Sequence, residues 1–141
     1  MNKKHEKVAA MIGDFQRRGL NPYYAGYFDY FNRGLFYESH DVLEQLWLAE
    51  RAGPNYSFYK GLIQLAGAFV HLQKNRLRPS AALFKLARTN LEKYPSPHEQ
   101  LDLGNLLQLI EEWLRRLEAG GWNENPLNLQ NAPQLVLLAD S

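Results

Sequence analysis

Residues 62–72 read Leu-Ile-Gln-Leu-Ala-Gly-Ala-Phe-Val-His-Leu, a run in which only Gln64 and His71 carry polar side chains. The run is much shorter than the roughly 20 apolar residues that cross a bilayer. It sits inside a longer stretch, 56–74, with helical spacing and apolar residues on nearly every side. A helix of that kind has to be surrounded by others. The rest of the chain must therefore supply amphipathic helices to pack around it, and strand signals are almost absent before the tail.

Those helices are legible from apolar spacing and from their stops. In 3–18, Val8, Ile12 and Phe15 recur at i, i+4, i+7, Arg17 and Arg18 suit the last turn, and Gly19 is the stop. Asn21-Pro22 predicts an N-cap and a first-position proline for a helix over 22–33, with Tyr24, Tyr27, Phe28 and Phe31 on one face and Gly34 at its end. Further helices are expected over 37–51, over 56–74 with Asn55 as cap, and over 79–94, opened by Pro79 and stopped at Tyr94-Pro95. Ser96-Pro97-His98-Glu99 reads as a capping box opening a last helix over 97–118, which Gly120-Gly121 ends. Loops this short make neighbouring helices antiparallel. The expected fold is all-α: one compact bundle of about five or six helices, a single domain over 1–141. An extended tail over 122–141 is expected to pack Leu135, Val136, Leu137 and Leu138 on the bundle or on a partner.

The absence of cysteine removes disulfides, thiolate metal sites and a cysteine nucleophile. Net charge is +1 and the basic residues are scattered among acids, so there is no basic stripe of the kind that tracks nucleic acid, which is not an expected partner. No apolar run follows the lysines at the N-terminus. Neither a signal peptide nor a membrane is expected, and the reading is of a cytoplasmic protein.

The chemistry is concentrated between Phe36 and Trp47. At about 100° per residue, Phe36, His40, Leu43 and Trp47 share a face with Glu44 at its edge. Asp41 lies further round, and Glu38 lies nearly opposite Phe36, in the first turn where a carboxylate favours the helix dipole. On the 56–74 helix, Lys60, Gln64, Gly67, Ala68 and His71 form a narrow face, with Gly67 and Ala68 permitting close approach of another helix. If the two helices are neighbours, His40, Glu44, Gln64 and His71 meet in one pocket. Two readings follow. Imidazoles and a carboxylate are ligands for a divalent metal, with His40, Glu44 and His71 as candidates, or they form an acid–base pair with Glu38 and Asp41 in reserve. Alternatively, the four are a buried hydrogen-bond network that fixes helix register. No cofactor is required by the sequence. The spacing matches no His-Glu-x-x-His motif and no paired Glu-x-x-His motif. His5 and His98 are expected to be solvated, and Asn55, Ser57 and Ser96 to be caps.

The stretch Phe31-Asn32-Arg33-Gly34-Leu35-Phe36-Tyr37-Glu38-Ser39-His40-Asp41-Val42-Leu43-Glu44, followed by Trp47, resembles the signature of a bacterial and archaeal family, domain of unknown function number three hundred and nine. Gly61-Leu62-Ile63-Gln64-Leu65-Ala66 with Ala68 and His71, and Ala81-Ala82-Leu83 with Leu86-Ala87, extend the resemblance to about 24–94. Asp41 stands where the family often has Glu. The resemblance implies an all-α fold and a small cytoplasmic protein; it implies no activity.

Two functional classes therefore stand side by side. A structural or interaction role, with a homo-oligomer or a protein partner, predicts an exposed apolar groove; Ala68, Ser80, Phe84 and Ala87 have spacings loosely similar to a single tetratricopeptide unit. A small metal-dependent or acid–base hydrolase predicts a water-accessible pocket and a histidine with perturbed titration.

Overall fold

The computed structural model describes residues 19–138. Five helices follow one another there: α1 (Pro22–Asn32), α2 (Phe36–Ala49), α3 (Tyr56–Gln73), α4 (Leu77–Leu91) and α5 (Leu103–Ala119). No strand is present among the described residues, and the architecture is an all-α bundle. The helix expected over 3–18 lies outside the described residues, as does the end of the tail.

The central position expected for α3 is what the packing delivers. Phe58, Leu62, Leu65, Ala66, Phe69 and Leu72 are sealed from solvent on several sides of that helix. Phe36 stacks on Phe69 at one end of α3 while Trp47 meets Tyr56 at the other, so α2 and α3 are antiparallel. α4 returns along the opposite flank, with Asn90 beside Gln64 and Phe84 edge-on to Phe69. α1 runs alongside in the direction of α3: Tyr24 packs on Phe58, the Tyr27 hydroxyl donates to the Leu62 carbonyl (2.6 Å), and Phe31 meets Phe69. That buried phenol is held far above the usual tyrosine range by desolvation, so it stays a neutral donor.

Several termini follow the sequence and two do not. Asn21 caps α1, its side chain accepting from the Tyr23 and Tyr24 amides. α4 opens at Leu77 rather than Pro79; the proline occupies its third position, where a missing N–H costs nothing. α5 opens at Leu103, not at 97. The Ser96-Pro97 bond is cis, Glu99 and Gln100 both have positive φ (47° and 62°), and His98 and Leu101 pair across the tight turn they make. The cap is Asp102, which accepts from the Asn105 amide (3.0 Å), while Ser96 Oγ accepts from Gly104 N (3.2 Å). This turn also takes His98 partly out of solvent. Its Nε2 lies 2.7 Å from Asn55 Oδ1 and its ring packs against Phe58 and Tyr94. Asn55 is thereby diverted from capping α3 and makes no cap hydrogen bond.

The tail alternates. Leu135 and Leu137 are buried in the bundle while Val136 and Leu138 face outward. Its amide groups are satisfied by α1 and the 98–101 turn: Leu135 by Asn32, and Leu138 by the Gln100 carbonyl (2.8 Å).

Candidate functional site

α2 and α4 flank α3 without meeting across its outer face, and an open groove of about 230 Å³ is left between them. Tyr37 and His40 from α2 form one wall and Leu83 from α4 the other. Ile63, Gln64, Gly67, Val70 and His71 of α3 form the floor. The floor is possible because Gly67 has no side chain: a Cβ there would stand 3.0 Å from Leu83 Cδ1.

His40, Gln64 and His71 therefore do converge, but they do not satisfy one another. Gln64 Oε1 accepts from Asn90 Nδ2 of α4 (2.7 Å). His71 Nδ1 is buried with no hydrogen-bond partner. His40 Nδ1 is 3.2 Å from Asp41 Oδ1, and its Nε2 is 3.9 Å from Glu44 Oε2, beyond hydrogen-bond range. An ionised carboxylate can only accept, so the Asp41 contact turns the Nδ1 edge of the ring toward Oδ1 and the Nε2 edge away from it.

Burial reverses part of the helical-wheel reading. Asp41 is the buried carboxylate of the segment, its side chain 12% exposed against 32% for His40 and 30% for Glu44. The face carrying His40 and Glu44 looks over a groove, not into a neighbouring helix. Glu44 stands beside His40 outside the groove's lining, and Glu38 is on the far side of α2, where its charge, with burial as the larger cause, raises the Tyr30 pKa. Trp47 lies a turn beyond Glu44, its Nε1 buried and unpartnered.

His71 is the titratable group of the floor with a perturbed proton affinity. Burial, followed by the charges of Arg76 and Lys74, lowers its pKa, so the imidazole is neutral at physiological pH. With Nδ1 buried and unpartnered, the proton is better placed on Nε2. The groove thus combines the imidazole edge of His40, a donor on His71, and apolar walls. Among the described residues no three or more His, Asp or Glu side chains gather as a metal-binding group.

Sequence reasoning overlooked Tyr37, Ile63, Val70, Leu83 and Asn90. Tyr37 was within reach, one helical turn before His40, and its ring stacks on that imidazole at 6.4 Å. A second cleft of about 720 Å³ separates the tail from the α1–α2 turn. It contains none of these residues, and Asn32, Gln73, Asn125 and Gln134 within it already bond backbone groups.

An all-helical domain with a small groove over its central helix is thus the class of protein. The family described as Domain of unknown function (DUF309) matches residues 24–83, the part of the chain that builds α1, α2, α3 and half of α4. The match bears out the resemblance carried by the segments around His40 and Gln64. An uncharacterized protein from Aquifex aeolicus (strain VF5) is 27% identical over 100 residues, 71% of this chain, and this chain covers 30% of that protein's length. No solved structure matches. Among the described residues, no helix is long and apolar enough to cross a membrane.

Proposed function

We propose that the domain is an interaction module whose groove between α2 and α4 receives one apolar side chain of a peptide segment of a protein partner. The groove's size carries this reading. At about 230 Å³ it is below the roughly 300–1,000 Å³ of sites that enclose whole cofactors or drug-sized molecules. It is suited to a single large side chain, with Ile63, Val70 and Leu83 around it and the polar edges of His40 and His71 within reach of the adjoining peptide amide.

Titrating N-acetyl-leucinamide and N-acetyl-phenylalaninamide into ¹⁵N-labelled protein tests the reading. Saturable shifts confined to Gly67, the Gln64 carboxamide and the His71 ring nitrogens are expected, and Gly67→Val should abolish them by filling the floor. Shifts absent, or unchanged by Gly67→Val, would sink it. A hydrolytic reading has the His40–Asp41 contact in its favour, since a carboxylate-oriented imidazole is a general base for water. It requires turnover of p-nitrophenyl acetate that is saturable and lost in His40→Ala; a rate no higher than free imidazole gives removes it.

A further inference from the structure

The loop over 126–131 carries a feature that nothing among the described residues explains. Leu129 is 104% exposed, so its side chain makes no use of the fold that presents it. Yet the loop is built to hold one shape. Asn128 Oδ1 accepts from the Gln130 and Asn131 amides (2.7 and 3.0 Å), Asn131 Oδ1 accepts from Asn128 N (2.8 Å), and Asn131 Nδ2 donates to the Pro126 carbonyl (2.7 Å). The result is a stiff knob with a bare leucine at its tip. A preorganised apolar side chain loses little entropy when it is buried by a second molecule.

We infer that Leu129 of one copy seats in the α2–α4 groove of a second copy, and that two such contacts form a two-fold dimer. The inference rests on the reading of the groove as a side-chain receptor and names its occupant. Three observations support it. The first is size: one leucine is what a groove of about 230 Å³ takes. The second is location. Leu129 shares its cleft with Phe36 and Leu72, and the next residues along the chain, Tyr37 and His71, line the groove. Knob and hole therefore sit at the same end of the molecule, where α2 begins and α3 ends, and a two-fold axis brings both pairs together at once. Leu35 and Tyr37, two further exposed large hydrophobics, border this end and make the patch larger.

The third observation is charge. Residues 126–131, Pro-Leu-Asn-Leu-Gln-Asn, contain no ionisable side chain, and the groove floor is neutral. Docking therefore desolvates no ion on the knob and none on the floor. Two leucine contacts cover less area than a permanent dimer needs, so the association is weak and concentration-dependent.

Sedimentation velocity over a roughly hundredfold concentration series reads the outcome directly. The wild-type chain should pass from monomer to dimer. Leu129→Asp should stay monomeric throughout with an unchanged melting temperature in dilute solution, since the residue is fully exposed among the described residues. Gly67→Val should likewise stay monomeric, by filling the groove floor from the other side of the contact. A wild-type chain that remains monomeric overturns the inference, and so does a dimer that survives either substitution. A monomeric chain whose groove still binds N-acetyl-leucinamide would overturn the dimer alone and leave the receptor reading standing; loss of both removes the two together.

Discussion

The Asn32 side chain and the Leu135 backbone exchange two hydrogen bonds: Nδ2 donates to the Leu135 carbonyl at 2.7 Å and Oδ1 accepts from the Leu135 amide at 2.6 Å. One carboxamide thus acts as a one-residue strand partner, where α1 ends and the tail comes to rest. The contact positions Leu135 to bury its side chain in the bundle. Asn32→Ala removes both bonds at a part-buried site, and a loss of about 1–3 kcal/mol in unfolding free energy is expected. Asn32→Asp keeps the acceptor but turns a second oxygen toward the Leu135 carbonyl, so it should be no better than alanine. Urea denaturation gives the energies, and faster amide exchange at Leu135 would localise the effect to the tail.

Ser80 is fully buried in α4 and its hydroxyl has no hydrogen-bond partner. An unsatisfied buried hydroxyl costs free energy that alanine does not incur, and alanine is also the better helix former. Ser80→Ala should raise stability by about 1 kcal/mol. A fall in the denaturation midpoint would mean that the hydroxyl is hydrogen-bonded in solution.

The tight turn between His98 and Leu101 places Glu99 and Gln100 in the left-handed region, which costs a non-glycine residue about 1–2 kcal/mol. The conformation is retained because the turn's carbonyls are used: Tyr24 donates to Glu99 O (2.7 Å) and Leu138 N to Gln100 O. Gln100→Gly relieves the strain while keeping both carbonyls, and about 1 kcal/mol of stabilisation is expected. Gln100→Val should destabilise. Thermal melts of the pair decide it.

The same turn shows where sequence reasoning stops. Apolar periodicity located five helices, all but the start of α5 to within about three residues, because their cores, such as Tyr24, Tyr27 and Phe31, repeat at the helical period. The Ser96–Glu99 capping box was a valid local pattern overruled by distant partners, Tyr24 and Leu138, that no local rule sees. The groove was half legible. Spacing selected His40, Glu44, Gln64 and His71 as a convergent set, and three of the four line the groove while Glu44 stands outside it. It did not reveal that Gln64 would be claimed by Asn90, or that Asp41 would be the buried carboxylate, because both depend on which flank of α3 each neighbour takes.

His71 gives stability a pH dependence whose sign is fixed by its lowered pKa. In the unfolded chain the imidazole takes up a proton around 6.5, while in the folded chain it resists until a lower pH. Between those two values the unfolded state binds more protons, so stability falls as pH falls. Above the upper value the effect is absent, and below the lower value it is complete. His71→Gln lacks this titration. Subtracting its unfolding free energy from that of the wild type should leave a difference that declines only as pH drops below about 6.5. A difference that is flat there would show that the imidazole is not desolvated in the fold.

Two glycines of α3 face the same neighbour, α4, and should respond in opposite ways to the same methyl group. Replacing a helical glycine by alanine contributes about 1 kcal/mol if the space is available. At Gly61 a Cβ would stand 2.8 Å from Leu91 Cγ, 3.0 Å from its Cδ2 and 3.2 Å from Asn90 Cβ. Leu91 is completely buried and cannot swing aside without displacing its own neighbours, so overpacking of about 1–3 kcal/mol exceeds the helical gain. At Gly67 the one close atom is Leu83 Cδ1 at 3.0 Å, the far end of a part-buried side chain that borders the open groove. That methyl can rotate into the groove, and Gly67→Ala should be neutral or up to about 1 kcal/mol stabilising. Of the two glycines it is therefore Gly61 that is pressed against buried parts of α4, whereas Gly67, which small-residue spacing singled out with Ala68, keeps the groove floor open. Denaturation midpoints for the two alanine variants, measured side by side, should move in opposite directions. Parallel movement would mean that Gly67 also sits in a packed helix contact and that the groove floor is closed.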